Sequence, residues 1–373
     1  MGLIDVLTRA AGSRAHVLVA EVPGAFRERV ALERALDRMG WCMAESVADA
    51  DVLAVVGEPG EAFAAVVEHV WAQMSEPRFR FHLRAGTEAE VLLGETREQL
   101  RRGARGTTGP DVRRGFTPSA EAMAQEHGGD GGHGDHDGGG GDGGHGDHHG
   151  HDGSGDGGHD HSAMMPDGIP LAEGAEDRDG LEMDELHLPL GPVLAHWPAG
   201  VLLQVTLHGD VVVDAAVEQL AASGTGLRPD DAIVRAARLL DAAGSVLALA
   251  GLPAESARAR RLRDRCLDGE LDGGREVAGL GDRVGRRRVL RWVLGGLAVE
   301  GSHSGSEQLH DRLTGLFERA RAELDGEAPQ HVTQGAQALP TLVRGMELAA
   351  VRLWLAALMP DLAEHELSEA ADG

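Results

Sequence analysis

An insert of glycine, histidine and aspartate constrains the fold of this chain more than any other feature of the sequence. The 35 residues 127–161 consist of 17 Gly, 9 His, 8 Asp and Ser154, and none of them is apolar. Such a segment has no side chains from which to build a hydrophobic core, so it cannot fold by itself. Its flanks show no periodicity either. We therefore expect a disordered linker over residues 104–180, with a folded domain on each side.

Residues 1–103 show the alternation of strands and helices that is typical of an α/β domain. Apolar runs at 16–22, 41–45 and 52–56 are separated by a helical pattern and by polar turns. A further helix with apolar spacing follows the last of these runs, and 78–83 is a candidate fourth strand. Because helices separate the strands, we predict a short parallel sheet.

In a parallel α/β sheet, ligands bind beyond the carboxyl ends of the strands. Here that edge comprises Pro23, Gly24, Ser46 and the glycine-bounded segment 57–60. None of these turns matches a dinucleotide-binding or nucleoside-triphosphate-binding glycine motif. We therefore interpret 57–60 as a turn and not as a phosphate-binding loop.

Residues 181–373 begin with strands and continue as helices. The apolar runs 201–207 and 211–214 are joined by His208-Gly209-Asp210, which predicts a tight antiparallel hairpin. Beyond Pro229, apolar stripes recur at helical spacing, which predicts about five helices. We expect an α+β domain made of a small antiparallel sheet and a helix bundle.

Charge and cysteine content exclude several classes of protein. A formal net charge of −26 argues against nucleic-acid binding, which requires a basic surface. The only cysteines, Cys42 and Cys266, cannot form a four-cysteine zinc site or iron–sulfur cluster, and we expect both to be buried. The longest nearly uncharged apolar stretch, 242–252, is about half a membrane span. We expect no direct membrane span and a cytoplasmic location.

The histidines of the insert form an imperfect repeat, in which the nine residues 128–136 recur unchanged at 140–148. Neutral imidazole is a preferred ligand of zinc, nickel and copper, and glycine lets the chain wrap around an ion. The pattern predicts several weak sites for divalent nickel or zinc, and the alternative is a solvated spacer. The candidate metal ligands are His127, His133, His136, His145, His148, His149, His151, His159 and His161.

Two other sets of residues leave alternatives open. His187, His196 and His208 form either a three-histidine zinc site or three unconnected surface histidines, and the absence of a close His–His spacing favours the second. The arginine-rich stretches 258–265 and 286–291 contact either an acidic partner or the chain's own 61 acidic residues.

Residues 188–214 resemble the start of the large subunit shared by respiratory complex I and [NiFe] hydrogenases. That family has a Gly-Pro-Gln-His-Pro segment, then an antiparallel pair with a Gly-Glu or Gly-Asp turn, then a helix bundle. Gly191-Pro192 and Gly209-Asp210 stand at the corresponding places here. Residues 10–103 resemble, more distantly, the α/β fold of the partner small subunit, so the resemblance implies a fusion of two shortened subunits.

The chain departs from that family at its redox centre. Val193 and Leu194 replace the Gln and the quinone-facing His, and His196, two positions later, is the candidate remnant of the quinone site. The family's quinone-contacting tyrosine and both Cys-x-x-Cys pairs are absent from the sequence.

The resemblance therefore implies an accessory or structural subunit that is not an enzyme by itself. Its expected partners are the other subunits of a membrane-associated oxidoreductase complex, and its expected position is peripheral on the inner face of the membrane. Two alternatives remain, a nickel or zinc store or chaperone and a quinone-interacting oxidoreductase subunit.

Overall fold

A computed structural model describes residues 14–102, 173–176, 182–223, 230–301, 305–327 and 335–372. All of them belong to one compact unit, which comprises residues 1–112 and 173–373. The two folded parts that the insert separates in sequence therefore share one unit. The nine candidate metal ligands of 127–161, and nearly all of the linker predicted at 104–180, lie outside the described residues.

The N-terminal part contains the predicted parallel sheet. Its strands are β1 (His16–Glu21), β2 (Cys42–Met43), β3 (Val52–Val56) and β4 (Phe79–Leu83), in the order β2-β1-β3-β4. All the pairings are parallel. Every residue of β3 is buried, as expected for a central strand that is covered on both faces.

Three helices cover the two faces of this sheet. They are α1 (Phe26–Met39), α2 (Glu61–Gln73) and α3 (Ala89–Arg102). Apolar side chains of α1 and α3 form one core with Val17 and Val52, and those of α2 form another with Leu18 and Leu53. The result is the three-layer arrangement that alternating strands and helices predict.

The C-terminal part begins with the predicted antiparallel sheet. Its strands are β5 (Glu173–Glu176), β6 (Glu182–Leu190), β7 (Val201–His208) and β8 (Val211–Gln219), paired in that order. The β7–β8 hairpin turns at Gly209, whose φ of 63° suits glycine. Strand β8 extends beyond the predicted 211–214 because its pairing with β7 continues to Gln219.

Helices follow the sheet. They are α4 (Ala232–Leu249), α5 (Pro253–Leu267), α6 (Arg275–Gly285), α7 (Arg288–Gly295), α8 (Leu309–Leu324), α9 (Leu339–Val343) and α10 (Leu348–Asp372). A short antiparallel pair, β9 (Ala298–Gly301) and β10 (Gly305–Gln308), interrupts them and was not predicted. Helix α4 lies in the centre of the bundle, where it packs against α5, α8 and α10. Among the helices of the described ranges, none combines the length and the apolar character that a membrane span requires.

The N-terminal and C-terminal parts share their hydrophobic cores. Phe26 and Val30 of α1 belong to the core around α4, whereas Val193, Leu202 and Leu220 belong to the core of the parallel sheet. Apolar side chains of the two parts therefore pack together within one compact unit of the described residues.

Candidate functional site

The C-terminal part of the chain covers the carboxyl edge of the parallel sheet, the edge at which α/β proteins bind their ligands. The Gly60 amide donates to the Ala221 carbonyl at 3.1 Å, and the Ser223 amide donates to the Glu58 carbonyl at 2.8 Å. A Cβ atom on Gly60 would lie 2.6 Å from the Ala221 oxygen, so only glycine allows this approach. The segment 57–60 is therefore a turn that pairs with the chain's own backbone. Ser46, at the same edge, caps the 3-10 turn Val47–Asp49.

Five charged residues meet where α1 packs against α4 and α5, and we call them the interface ion cluster. They are Glu21 at the end of β1, Arg29 and Glu33 on α1, Asp241 on α4, and Arg263 on α5. Arg29 lies 2.6 Å from Glu21 through Nε and 2.5 Å from Asp241 through Nη2, and it also pairs with Glu33. Arg263 Nη1 lies 2.7 Å from Glu33 and 2.5 Å from Asp241.

This cluster is almost completely removed from solvent. The Arg263 side chain is 2% exposed and that of Asp241 is 10% exposed. Burial would raise the pKa of Asp241, but the adjacent Arg29 and Arg263 guanidinium groups outweigh it and hold that pKa below its ordinary value. At Glu21, burial prevails over the attraction of Arg29 and raises the pKa. Arg29 contacts three carboxylates of the cluster and Arg263 contacts two, so each buried guanidinium group has more than one counter-charge.

His196 lies next to this cluster, in the loop between β6 and β7. Its backbone has a φ of 60°, which places it in the left-handed region, and its Nδ1 atom lies 3.1 Å from Ser245 Oγ on α4. Burial and the positive charge of Arg260 lower the pKa of His196 to about 4. The imidazole is therefore neutral at physiological pH.

A small cleft separates His196 from the ion cluster. Its lining includes His196, Ser245, Arg260, Glu33 and Asp241. Its volume is about 50 Å³, which is room for a few water molecules. The cleft is a small space of mixed polar and apolar lining between the two parts of the chain.

The loop that carries His196 is fixed by two neighbours. Gly191 has a φ of 82°, and a Cβ atom there would collide with the indole of Trp197. The Trp197 Nε1 group donates to the Val201 carbonyl at 2.7 Å. Glycine is thus required at position 191 for the left-handed backbone conformation and for the space that the Trp197 indole occupies.

The structure does not bring the three histidines of the antiparallel sheet together. Nε2 of His187 and Nε2 of His208 lie 3.5 Å and 3.9 Å from the carboxylate of Glu185, whereas His196 contacts Ser245. Within the described ranges, no group of three or more His, Cys, Asp and Glu residues is placed to hold a metal. The three-histidine zinc site is therefore not formed.

The two cysteines differ from each other in burial. Cys266 is buried on α5 as expected, and burial raises the pKa of its thiol to about 11. The expectation for Cys42 was wrong, because this residue is exposed. Cys42 begins β2, a strand of two residues at the edge of the sheet, so among the described strands it has a neighbour on one side only.

Both arginine-rich stretches contact acidic residues of the chain itself. In 258–265, Arg263 pairs with Glu33 and Asp241, and Arg265 pairs with Glu276, so this stretch contacts the chain's own acidic residues. In 286–291, Arg287 pairs with Glu255 and Arg286 lies 3.5 Å from Asp282, whereas Arg288 and Arg291 are exposed.

Apart from Arg263, which lies in the arginine-rich stretch 258–265, the residues of the interface ion cluster were not singled out from the sequence. One signal was available, since Asp241 is the only acidic residue in the otherwise apolar and basic sequence of α4. A lone carboxylate on a buried helix face requires a cationic partner, which the sequence could not locate.

No protein-family model, curated protein or solved structure matches this chain.

Proposed function

We propose that this chain is a non-catalytic structural subunit of an oxidoreductase assembly similar to complex I or a [NiFe] hydrogenase. The observation that carries the proposal is the packing of the C-terminal part over the carboxyl edge of the parallel sheet. In α/β proteins that edge binds the ligand. Here the carboxyl edge binds the chain's own backbone, as expected for a domain with a structural role.

The interface ion cluster supports the same conclusion. Arg29 and Arg263 each connect α1 with α4, so the charges join two elements that lie far apart in sequence. Removing one member of such a cluster leaves a buried charge without its partner, which is strongly unfavourable. The cluster therefore fixes the geometry of the two parts that correspond, by resemblance, to the small and large subunits.

The sequence also lacks the cysteine ligands that hold the redox centres in the family it resembles. Its only two cysteines stand on different elements, Cys42 on β2 and Cys266 on α5. They cannot supply the four thiolates of an iron–sulfur cluster or the two cysteine pairs of a nickel–iron centre. The proposed subunit therefore supports chemistry that other subunits perform.

The proposed position is cytoplasmic and peripheral on the inner face of the membrane, in contact with the other subunits of a membrane-associated oxidoreductase complex. An affinity-tagged chain, expressed in its native cells and isolated in mild detergent, tests this. We expect membrane-embedded oxidoreductase subunits in the isolated particle. A chain that elutes alone, from both the membrane and the soluble fraction, would overturn the proposal.

Quinone binding near His196 is the alternative that the cleft favours, because the cleft brings a neutral imidazole next to buried charges. Its volume of about 50 Å³ counts against this alternative, since small-molecule pockets usually measure roughly 300–1,000 Å³. The test is His196→Asn in the native assembly. A structural role predicts unchanged quinone reduction, and a quinone site predicts a higher KM for quinone with the assembly intact.

Metal storage or delivery is a second candidate function, and the repeated histidines of 127–161 favour it. Nickel delivery to a metalloenzyme is compatible with a structural role in the same assembly. Fixing each residue of a glycine-rich chain costs roughly 1–2 kcal/mol, so we propose weak, exchangeable sites for nickel or zinc. Deleting 127–161 and growing the cells under metal limitation tests the biological role, and an unchanged growth rate would contradict it.

A further inference from the structure

Helix α7 exposes an apolar stripe on its outer side. Leu290 and Leu294 are buried in the helical core, whereas Val289, Trp292 and Val293 are 75%, 82% and 49% exposed. At about 100° per residue, these three side chains lie within about 100° of one another, and Trp292 lies farthest from the buried pair. They include the most exposed large apolar side chains of the described residues.

Several arginines lie on this helix or just before it in the chain. We define the α7 patch as Val289, Trp292 and Val293 together with Arg283, Arg286, Arg288 and Arg291. Arg283 and Arg291 donate to backbone carbonyl groups, and the pairing of Arg286 with Asp282 is long, at 3.5 Å, and exposed. The patch is therefore locally cationic in a chain whose net charge is −26.

We propose that the α7 patch binds the surface of an anionic lipid bilayer. Apolar side chains that project from a short helix enter the boundary between headgroups and acyl chains without a preformed pocket, and tryptophan favours that boundary. The neighbouring guanidinium groups then reach the anionic headgroups. A protein partner would instead need an apolar pocket shaped to receive Trp292.

The net negative charge of the chain favours one orientation on an anionic bilayer. An acidic protein is repelled by an anionic surface, so only a local basic region can approach it closely. The patch would thus place α7 against the bilayer and turn the acidic remainder away. This inference deepens the peripheral membrane position of the proposed function and rests on it, but it is tested with the isolated chain.

Tryptophan fluorescence reports on this patch selectively. Of the five tryptophans of the chain, only Trp292 is exposed, and the other four (Trp41, Trp71, Trp197 and Trp354) are each at most 6% exposed. We expect vesicles of phosphatidylcholine with about one third phosphatidylglycerol to shift the Trp292 emission to shorter wavelength and to protect it from acrylamide. Vesicles of phosphatidylcholine alone should bind far more weakly, and salt should reduce binding to the anionic vesicles.

Single substitutions then identify the surface. Trp292→Ser should abolish the spectral shift, and co-sedimentation should show at least tenfold weaker binding. Arg288→Gln should weaken binding about fivefold, the contribution of one arginine near an anionic surface. The matched controls are Val91→Ser, at an apolar side chain that is 52% exposed on α3, and Arg84→Gln, at an exposed arginine. Both controls should bind like the wild type.

Three results would overturn the lipid proposal. The first is an absence of binding to anionic vesicles at low salt, and the second is binding that Trp292→Ser and Arg288→Gln leave unchanged. The third is a Trp292 that is already protected from acrylamide without vesicles, which would show that another segment or a second copy covers the patch. Failure of vesicle binding with intact co-purification of oxidoreductase subunits would refute this inference alone and leave the structural role standing.

Discussion

The Arg29 guanidinium on α1 lies 2.5 Å from the carboxylate of Asp241 on α4, a residue 212 positions later in the chain. Arg263 completes the connection by pairing with both Asp241 and Glu33. The glycine-rich insert lies between these partners in sequence, and the charges lie together in space. The cluster is thus a joint between the α/β part and the helical part of the chain.

Because Asp241 belongs to the interface ion cluster, we expect Asp241→Asn to lower the free energy of unfolding strongly. This substitution leaves Arg29 and Arg263 with fewer buried counter-charges, and breaking a buried ion pair in this way costs about 3–5 kcal/mol. Urea unfolding, followed by circular dichroism, measures the change in the free energy of unfolding. Asp268→Asn is the matched control, because its partner Arg34 and Asp268 itself are about one third exposed.

The control pair should contribute no more than about 1 kcal/mol, as exposed ion pairs usually do. Equal losses for Asp241→Asn and Asp268→Asn would show that burial does not distinguish the interface ion cluster. That outcome would contradict the role of the cluster as the joint between the two parts.

The neutral imidazole of His196 predicts a loss of stability in acid. Its pKa falls from 6.5 to about 4 in the folded chain, because burial and Arg260 disfavour the charged form. The contribution is complete above pH 6.5 and is lost as the pH falls toward 4, since the unfolded chain takes up the proton first. The loss reaches up to about 3 kcal/mol at pH 4, at 1.36 kcal/mol per pKa unit.

His196→Asn tests this dependence, because asparagine tolerates the left-handed backbone and does not titrate. The difference in unfolding free energy between wild type and variant should shift steadily in favour of the variant between pH 6.5 and 4. His187→Asn, at a side chain that is 60% exposed, controls for the loss of one imidazole. A wild-type and a His196→Asn curve that run parallel over this range would refute the explanation.

Alanine substitutions at Gly191 and Gly345 distinguish the cost of a strained backbone from the cost of a steric clash. Both have a φ of 82°, but a Cβ atom on Gly191 meets Trp197, whereas a Cβ atom on Gly345 has no atom within 4 Å. We expect Gly345→Ala to cost about 1–2 kcal/mol from the left-handed backbone alone. Gly191→Ala should cost several kcal/mol more, because Trp197 must also leave its hydrogen bond to Val201. Thermal unfolding of the two variants compares them, and equal losses would show that Trp197 is not held tightly.

We expect the binding of divalent metal ions to depend on the histidine-rich residues 127–161. Isothermal titration calorimetry with Ni²⁺ or Zn²⁺ should show several weak sites in the full chain, because 127–161 contains nine histidines. Deletion of 127–161 should leave at most one site. An unchanged stoichiometry would place the metal elsewhere and refute the assignment of these histidines as ligands.

The sequence predicted local elements well wherever hydrophobic periodicity decides the structure. The run 52–56 is β3 to the residue, and the turn at Gly209 joins the hairpin as expected. The short pair β9 and β10 escaped prediction because four-residue strands with glycine carry too little periodicity.

The candidate site was predictable only in part, because it depends on contacts between distant segments. His196 was identified by resemblance, but its neighbours Ser245 and Asp241 come from a helix that sequence alone does not place beside it. The arginine-rich stretch 258–265 showed that charge was present. Which arginine would be buried, Arg263, followed only from the packing of α5 against α1.

The composition of the assembly purified through this chain tests the central claim most directly. Quantitative mass spectrometry of the tagged chain, isolated from its native membranes, measures the molar ratio of the chain to the subunits that accompany it. The structural role predicts a ratio near one to one with membrane-embedded oxidoreductase subunits, and the ratio should persist in His196→Asn. A chain recovered without such subunits, or a particle that loses its oxidoreductase activity in His196→Asn while keeping its composition, would contradict the account.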